Sequence, residues 1–173
     1  PPVWYLLTSS VYQIQPSYNG WSMVLGVIML ACDVGNLLLI RAIGGRLHGG
    51  STGTALGWIY ALMPVPLVFA WWNFDVMVTF FLLLGLWWLL RGKETRSAVA
   101  AALGALTKFV PALLLGAVFR YRTLPNAMRY TAVTLGLFAA VYALLLIGNP
   151  NPQMALTSLT AQFGKASYQS VWA

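Results

Sequence analysis

Acidic side chains are nearly missing from this chain of 173 residues: three Asp and Glu stand against ten Lys and Arg, and charged residues make up only 8%. A soluble domain carries about a quarter. With 60% apolar residues and a mean hydropathy of +0.75, the chain reads as a bilayer protein. Disorder and a coiled coil are excluded by the same composition. The single Cys32, inside an apolar run, excludes an internal disulfide and says nothing about redox compartment. The single His48 has no second histidine with which to build a metal site and reads as solvated. There is no Gly-x-Ser-x-Gly, no Gly-Lys-Ser/Thr, no Cys-x-x-Cys and no His-Glu-x-x-His, which speaks against soluble nucleotide chemistry. The net charge of +7 is first a topology signal and only second a hint of anionic partners; no nucleic acid is expected.

What is present is a succession of apolar runs. Crossing about 30 Å of hydrocarbon takes about 20 apolar residues as a helix, which suits spans at about 21–40, 55–72, 74–90 and 131–147. The breaks fall at Ile43-Gly44-Gly45 through Gly49-Gly50-Ser51, at Asn73-Phe74-Asp75, at Arg91-Gly92-Lys93-Glu94 and at Asn149-Pro150-Asn151-Pro152. Aromatics gather at the same boundaries: Tyr18, Trp21, Trp71 and Trp72 at one set of ends, Trp87, Trp88, Tyr121 and Tyr130 at the other. Pro64 and Pro66 predict a kink in the second span.

The stretch 97–119 is long enough to cross once, yet Lys108 stands in its middle and Pro111 follows. Charge decides. A single crossing splits the loop cations six to three, whereas a hairpin of two short helices puts Arg41, Arg46, Arg91, Lys93, Arg96, Arg120, Arg122 and Arg129 on one face and only Lys165 opposite. The positive-inside rule selects the hairpin, with Lys108 at its tip. The expected architecture is an all-α, multi-pass helical bundle forming one transmembrane domain over 1–173, with an outer loop at 148–173. Neither a tandem repeat nor a soluble domain is evident.

Three intramembrane groups need an explanation. A lysine at mid-bilayer costs about 2.5–3.5 kcal/mol on insertion scales, so Lys108 must meet a partner, a cavity or a bound anion. The alternatives are a structural ion pair or a lysine snorkelling past its neighbours, and a site for an anionic headgroup. Asp75 opens the third span at the outer corner, the side toward which the hairpin points. It reads either as a first-turn or capping acid or as a carboxylate that orients the lysine or a divalent cation. Asp33 and Asn36, one turn apart in the first span, read as interhelical hydrogen bonding.

The order of these features is more telling than any one of them. Asn73-Phe74-Asp75, Arg91-Gly92-Lys93, the small-residue run Ala100–Leu106 and Lys108-Phe109-Val110-Pro111 together resemble the GT-C superfamily of integral-membrane glycosyltransferases. The likeness is greatest to mannosyltransferases that use a polyprenyl-phosphate sugar, including those of phosphatidylinositol mannosides and of the first GPI mannose. It runs from Pro1 to about Arg122 and weakens afterwards. Pro1-Pro2 looks like the end of the family's aromatic-Pro-Pro segment, so the resemblance implies an internal fragment, inactive alone, whose principal carboxylate lies upstream of Pro1. Asp75 matches the second acidic position of the family. Lys108 matches the lysine of its Lys-aliphatic-Tyr-Pro motif, although this chain carries Phe109-Val110 and so lacks the tyrosine hydroxyl. Gln169-Ser170-Val171-Trp172 is loosely similar to an outer-loop Gln-x-Glu-Ser stretch but has no acid.

The resemblance implies transfer of a hexose, in particular mannose, from a polyprenyl-phosphate donor to a lipid or glycan acceptor on the non-cytoplasmic face of a plasma membrane. The substrate-binding candidates are Lys108 and Asp75, with Asp75 also the candidate metal ligand should a divalent cation take part. The alternative is a secondary transporter or lipid flippase for an anionic substrate, which also uses broken helices and midplane charges. A non-catalytic membrane subunit is the third reading.

Overall fold

The computed structural model describes residues 2–63, 71, 73–147, 153 and 157. Among these residues there are seven α-helices and no strand: α1 (Pro2–Ile14), α2 (Tyr18–His48), α3 (Gly50–Leu62), α4 (Asp75–Leu90), α5 (Glu94–Thr107), α6 (Leu113–Tyr121) and α7 (Leu124–Ile147), with a 3₁₀ turn at Val110–Ala112. α2 and α7 are long and apolar enough to cross a membrane. At 1.5 Å per residue the 31 residues of α2 reach about 46 Å and the 24 of α7 about 36 Å. Both leave large apolar side chains uncovered, among them Val27, Val34 and Leu38 on α2 and Leu135 and Leu144 on α7. Water would not tolerate such stripes, whereas lipid tails cover them at no cost. The molecule is an all-α membrane protein.

Local chemistry sets the helix ends. Pro16 cannot continue α1, and Ser17 caps α2, its Oγ accepting from the Gly20 amide at 3.3 Å. α4 closes on Gly92, whose φ of 71° suits a residue without Cβ. The Gly92 amide donates to the Leu89 carbonyl at 3.1 Å and the Lys93 amide to the Trp88 carbonyl at 2.8 Å. This paired closure satisfies the last carbonyls of α4 and reverses the chain straight into α5.

α5 is the centre of the bundle. Its Ala98, Ala100, Ala101, Ala102 and Ala105 are buried, and their small size lets α4 and α7 approach closely. The core joins Leu89, Ala98, Ala101, Leu114, Val118, Ala127 and Tyr130. Ser97 ties three helices together, donating to the Gly85 carbonyl of α4 at 2.7 Å and sharing a 3.0 Å hydrogen bond with the Tyr130 hydroxyl of α7. Asp33 and Asn36 make interhelical bonds: the Tyr60 hydroxyl donates to Asp33 Oδ1 at 2.6 Å, and Asn36 Nδ2 donates to the Val76 carbonyl at 3.1 Å.

The elements differ from the sequence expectation in three places. The glycine-rich segment after Ile40 is helix rather than loop: α2 continues through Gly44-Gly45 to His48, and only Gly49, at φ 94°, separates it from α3. A Cβ on Gly53 would stand 2.4 Å from the Arg41 carbonyl oxygen and 2.5 Å from the Gly45 nitrogen. These glycines are where two helix backbones touch. The segment 1–20, which precedes the first expected span, contains α1. The last helix starts at Leu124 rather than near Thr131, because hydropathy marks the lipid-crossing part of a helix and not its polar first turns. The expected kink at Pro64 and Pro66, much of the 55–72 span and nearly all of the 148–173 loop lie outside the described residues.

Candidate functional site

Helix α5 stops at Thr107 because of Pro111. Pro111 has no amide to donate to the Thr107 carbonyl, and in a continued helix its ring would strike that carbonyl. Lys108 is extended, its amide closing the helix on the Gly104 carbonyl at 2.8 Å. The chain then turns through Val110–Ala112 and runs back as α6. Pro111 lies against α5 itself: a Cβ on Gly104 would fall 2.6 Å from Pro111 Cγ and 2.9 Å from Phe81 Cβ. By Arg122 the chain has returned to where α5 began, with Arg122 Nη2 donating to the Leu89 carbonyl at 3.0 Å and Nε 3.0 Å from Glu94 Oε1. The stretch is therefore a helical hairpin with Lys108 at its tip.

The tip meets the Asn73–Asp75 corner. Lys108 Nζ donates to Asp75 Oδ1 at 2.8 Å. Asp75 is held from behind: its amide donates to Asn73 Oδ1 at 3.0 Å, and the Thr79 hydroxyl donates to its carbonyl at 3.0 Å. α1 rests on the same corner through Trp4, stacked on Phe74 with ring centroids 5.2 Å apart. Phe109, next to the lysine, faces Phe138 of α7 at 6.1 Å. The acid occupies the first turn of α4 and the lysine the C-terminal cap of α5, so each charge also complements its helix dipole.

Exposure distinguishes a purely structural pair from an available one. The side chains of Lys108 and Asp75 keep 49% and 45% of their surface open. A pair this accessible adds little to stability, and an anion can reach the ammonium while the carboxylate still orients it. Among the described residues no three of His, Cys, Asp and Glu gather. Asp75 Oδ1 is engaged by the ammonium.

Asn73, Gly104 and Arg122 contribute to this geometry beyond the two candidates that the sequence singles out. Asn73 had a readable signal, an Asn two residues before a helix start. Gly104 and Arg122 had none, since their contacts depend on the hairpin closing.

An integral-membrane helical protein with an accessible acid–lysine pair at a broken helix is the class these features define. The match to a family model is more specific. It spans residues 1–171, so the chain belongs to glycosyltransferase family 87 and is a membrane glycosyltransferase. No curated protein and no solved structure matches it.

Proposed function

We propose that this chain transfers a hexose, mannose in the reading the GT-C resemblance implies, from a polyprenyl-phosphate donor to a lipid or glycan acceptor, with the site on the non-cytoplasmic face of a multi-pass plasma-membrane protein. The observation that carries the proposal is the 2.8 Å contact between Lys108 and Asp75 at the hairpin tip, half open to its surroundings. A lipid-phosphate sugar leaves behind a phosphate monoester, a stable anion that needs little general-acid help. It gains from a fixed cation as negative charge grows on the departing oxygen. The Lys108 ammonium supplies that cation, and Asp75 positions it.

The acceptor hydroxyl must lose a proton as it attacks, and in-line attack inverts the anomeric carbon. Under the resemblance that base is a carboxylate upstream of Pro1. We read Asp75 first as the partner of Lys108, because its Oδ1 accepts from the ammonium at 2.8 Å. The positive-inside rule supports the proposed orientation: the cations at the other end of the hairpin, among them Lys93, Arg96 and Arg122, mark the cytoplasmic side.

The test is sugar transfer by the full-length protein from a purified polyprenyl-phosphate donor. Lys108→Ala is expected to lower the rate by at least about a hundredfold, as loss of one group that stabilises developing charge does, while the protein stays folded. Wild-type turnover by a folded Lys108→Ala protein would remove the lysine from the mechanism.

A further inference from the structure

We propose that the end of the bundle opposite the Asp75–Lys108 pair carries a second, non-catalytic site, a pocket that binds a phosphate group through Lys93, Arg96 and Arg129. A cavity of about 300 Å³, within the size range of ligand sites, lies there between the α4–α5 turn and α7. The three cations line it from two separate elements, together with the polar side chains of Thr95 and Asn126. Its inner wall includes Tyr130 and Val133, and the Tyr130 hydroxyl is already engaged by Ser97.

The charge balance inside the cavity is what points to an anion. One carboxylate lines it, that of Glu94, and Arg122 neutralises it at 3.0 Å. Lys93, Arg96 and Arg129 have no carboxylate partner among the described residues. Topology alone asks only that cations lie on one side of the membrane; it does not ask them to converge on a cavity. The first turn of α5, with its free amides, adds a favourable dipole to the same place. Basic pockets between membrane helices fit lipid phosphates. The phosphate belongs either to the headgroup of an anionic phospholipid or to a soluble phosphate ester. The proposal stands apart from the transfer reaction, since none of these residues touches the Asp75–Lys108 pair.

The experiment uses the full chain in nanodiscs of neutral lipid doped with phosphatidylglycerol, with retained lipid counted by native mass spectrometry. Arg96→Gln with Arg129→Gln is expected to weaken retention about thirtyfold, roughly fivefold per charge. A control with the same change in net charge, Arg41→Gln with Arg120→Gln, stays within about twofold, because neither side chain lines this cavity. Inorganic phosphate then separates the sources: displacement of the lipid identifies a site open to soluble esters, and no displacement identifies a headgroup site. Equal losses in the two double variants would overturn the proposal, since net charge alone would then explain the binding. Photo-crosslinking of a phosphatidylglycerol probe to the unmodified chain checks the same point without any substitution. Adducts at 93–96 and 126–133 support the pocket, and adducts confined to other segments refute it.

Discussion

The two ends of the α4–α5 pair are built by one rule and left in different states. At each end an acid in the first turn of a helix takes a cation from the C-terminal cap of a neighbour. Asp75 of α4 takes Lys108 after α5, and Glu94 of α5 takes Arg122 after α6. Antiparallel packing makes such pairs natural, because every acid-favouring helix start then lies beside a cation-favouring helix end. The difference is in accessibility and surplus. Glu94 and Arg122 keep only 26% and 34% of their side-chain surface open, and Arg122 is further fixed by the Leu89 carbonyl. The Asp75–Lys108 pair is nearly half open, and among the described residues no further cation is paired with Asp75. The closed pair staples the hairpin, and the open one is, under the proposed function, where the donor phosphate sits.

That contrast makes graded predictions. Asp75→Asn keeps the shape but loosens the lysine, and should lower the transfer rate about ten- to a hundredfold through misplacement rather than loss of the ammonium. Retained activity in Asp75→Asn would show that the ammonium needs no carboxylate to orient it. Gly104→Ala forces a methyl group against the rigid Pro111 ring. It should destabilise the protein by about 1–3 kcal/mol in reversible unfolding, as overpacking does, and shift the tip as well. An unchanged unfolding midpoint would mean that α5 and Pro111 are not in contact. Arg122→Gln leaves Glu94 and the Leu89 carbonyl poorly satisfied and should cost about 1–2 kcal/mol of stability, yet the folded fraction should transfer sugar at the normal rate. A specific loss of turnover there would erase the distinction between the two ends.

Much of this arrangement was legible in the chain itself. A lysine stranded in an apolar stretch demanded a partner, and the one-sided distribution of arginines required the chain to turn back at that lysine. Asp75 stood at the one corner within reach. The glycine run after Ile40 reads as a loop, because in soluble chains such runs punctuate loops. Between membrane helices the absent Cβ instead lets backbones meet, as Gly53 does against Arg41 and Gly45. The closure of Pro111 onto Gly104 and the return of Arg122 to Leu89 left no sequence trace. Each depends on residues brought together only after the hairpin forms, and periodicity and hydropathy do not encode that proximity.

The most direct measurement is the affinity of the full-length protein for the sugar-free polyprenyl phosphate, compared between the wild-type chain and Lys108→Ala at fixed low salt. If the hairpin lysine holds the leaving phosphate, the substitution weakens binding by about tenfold or more, the scale of a lost charge-assisted contact. Equal affinity in the two proteins would contradict the assignment of Lys108 to the donor phosphate.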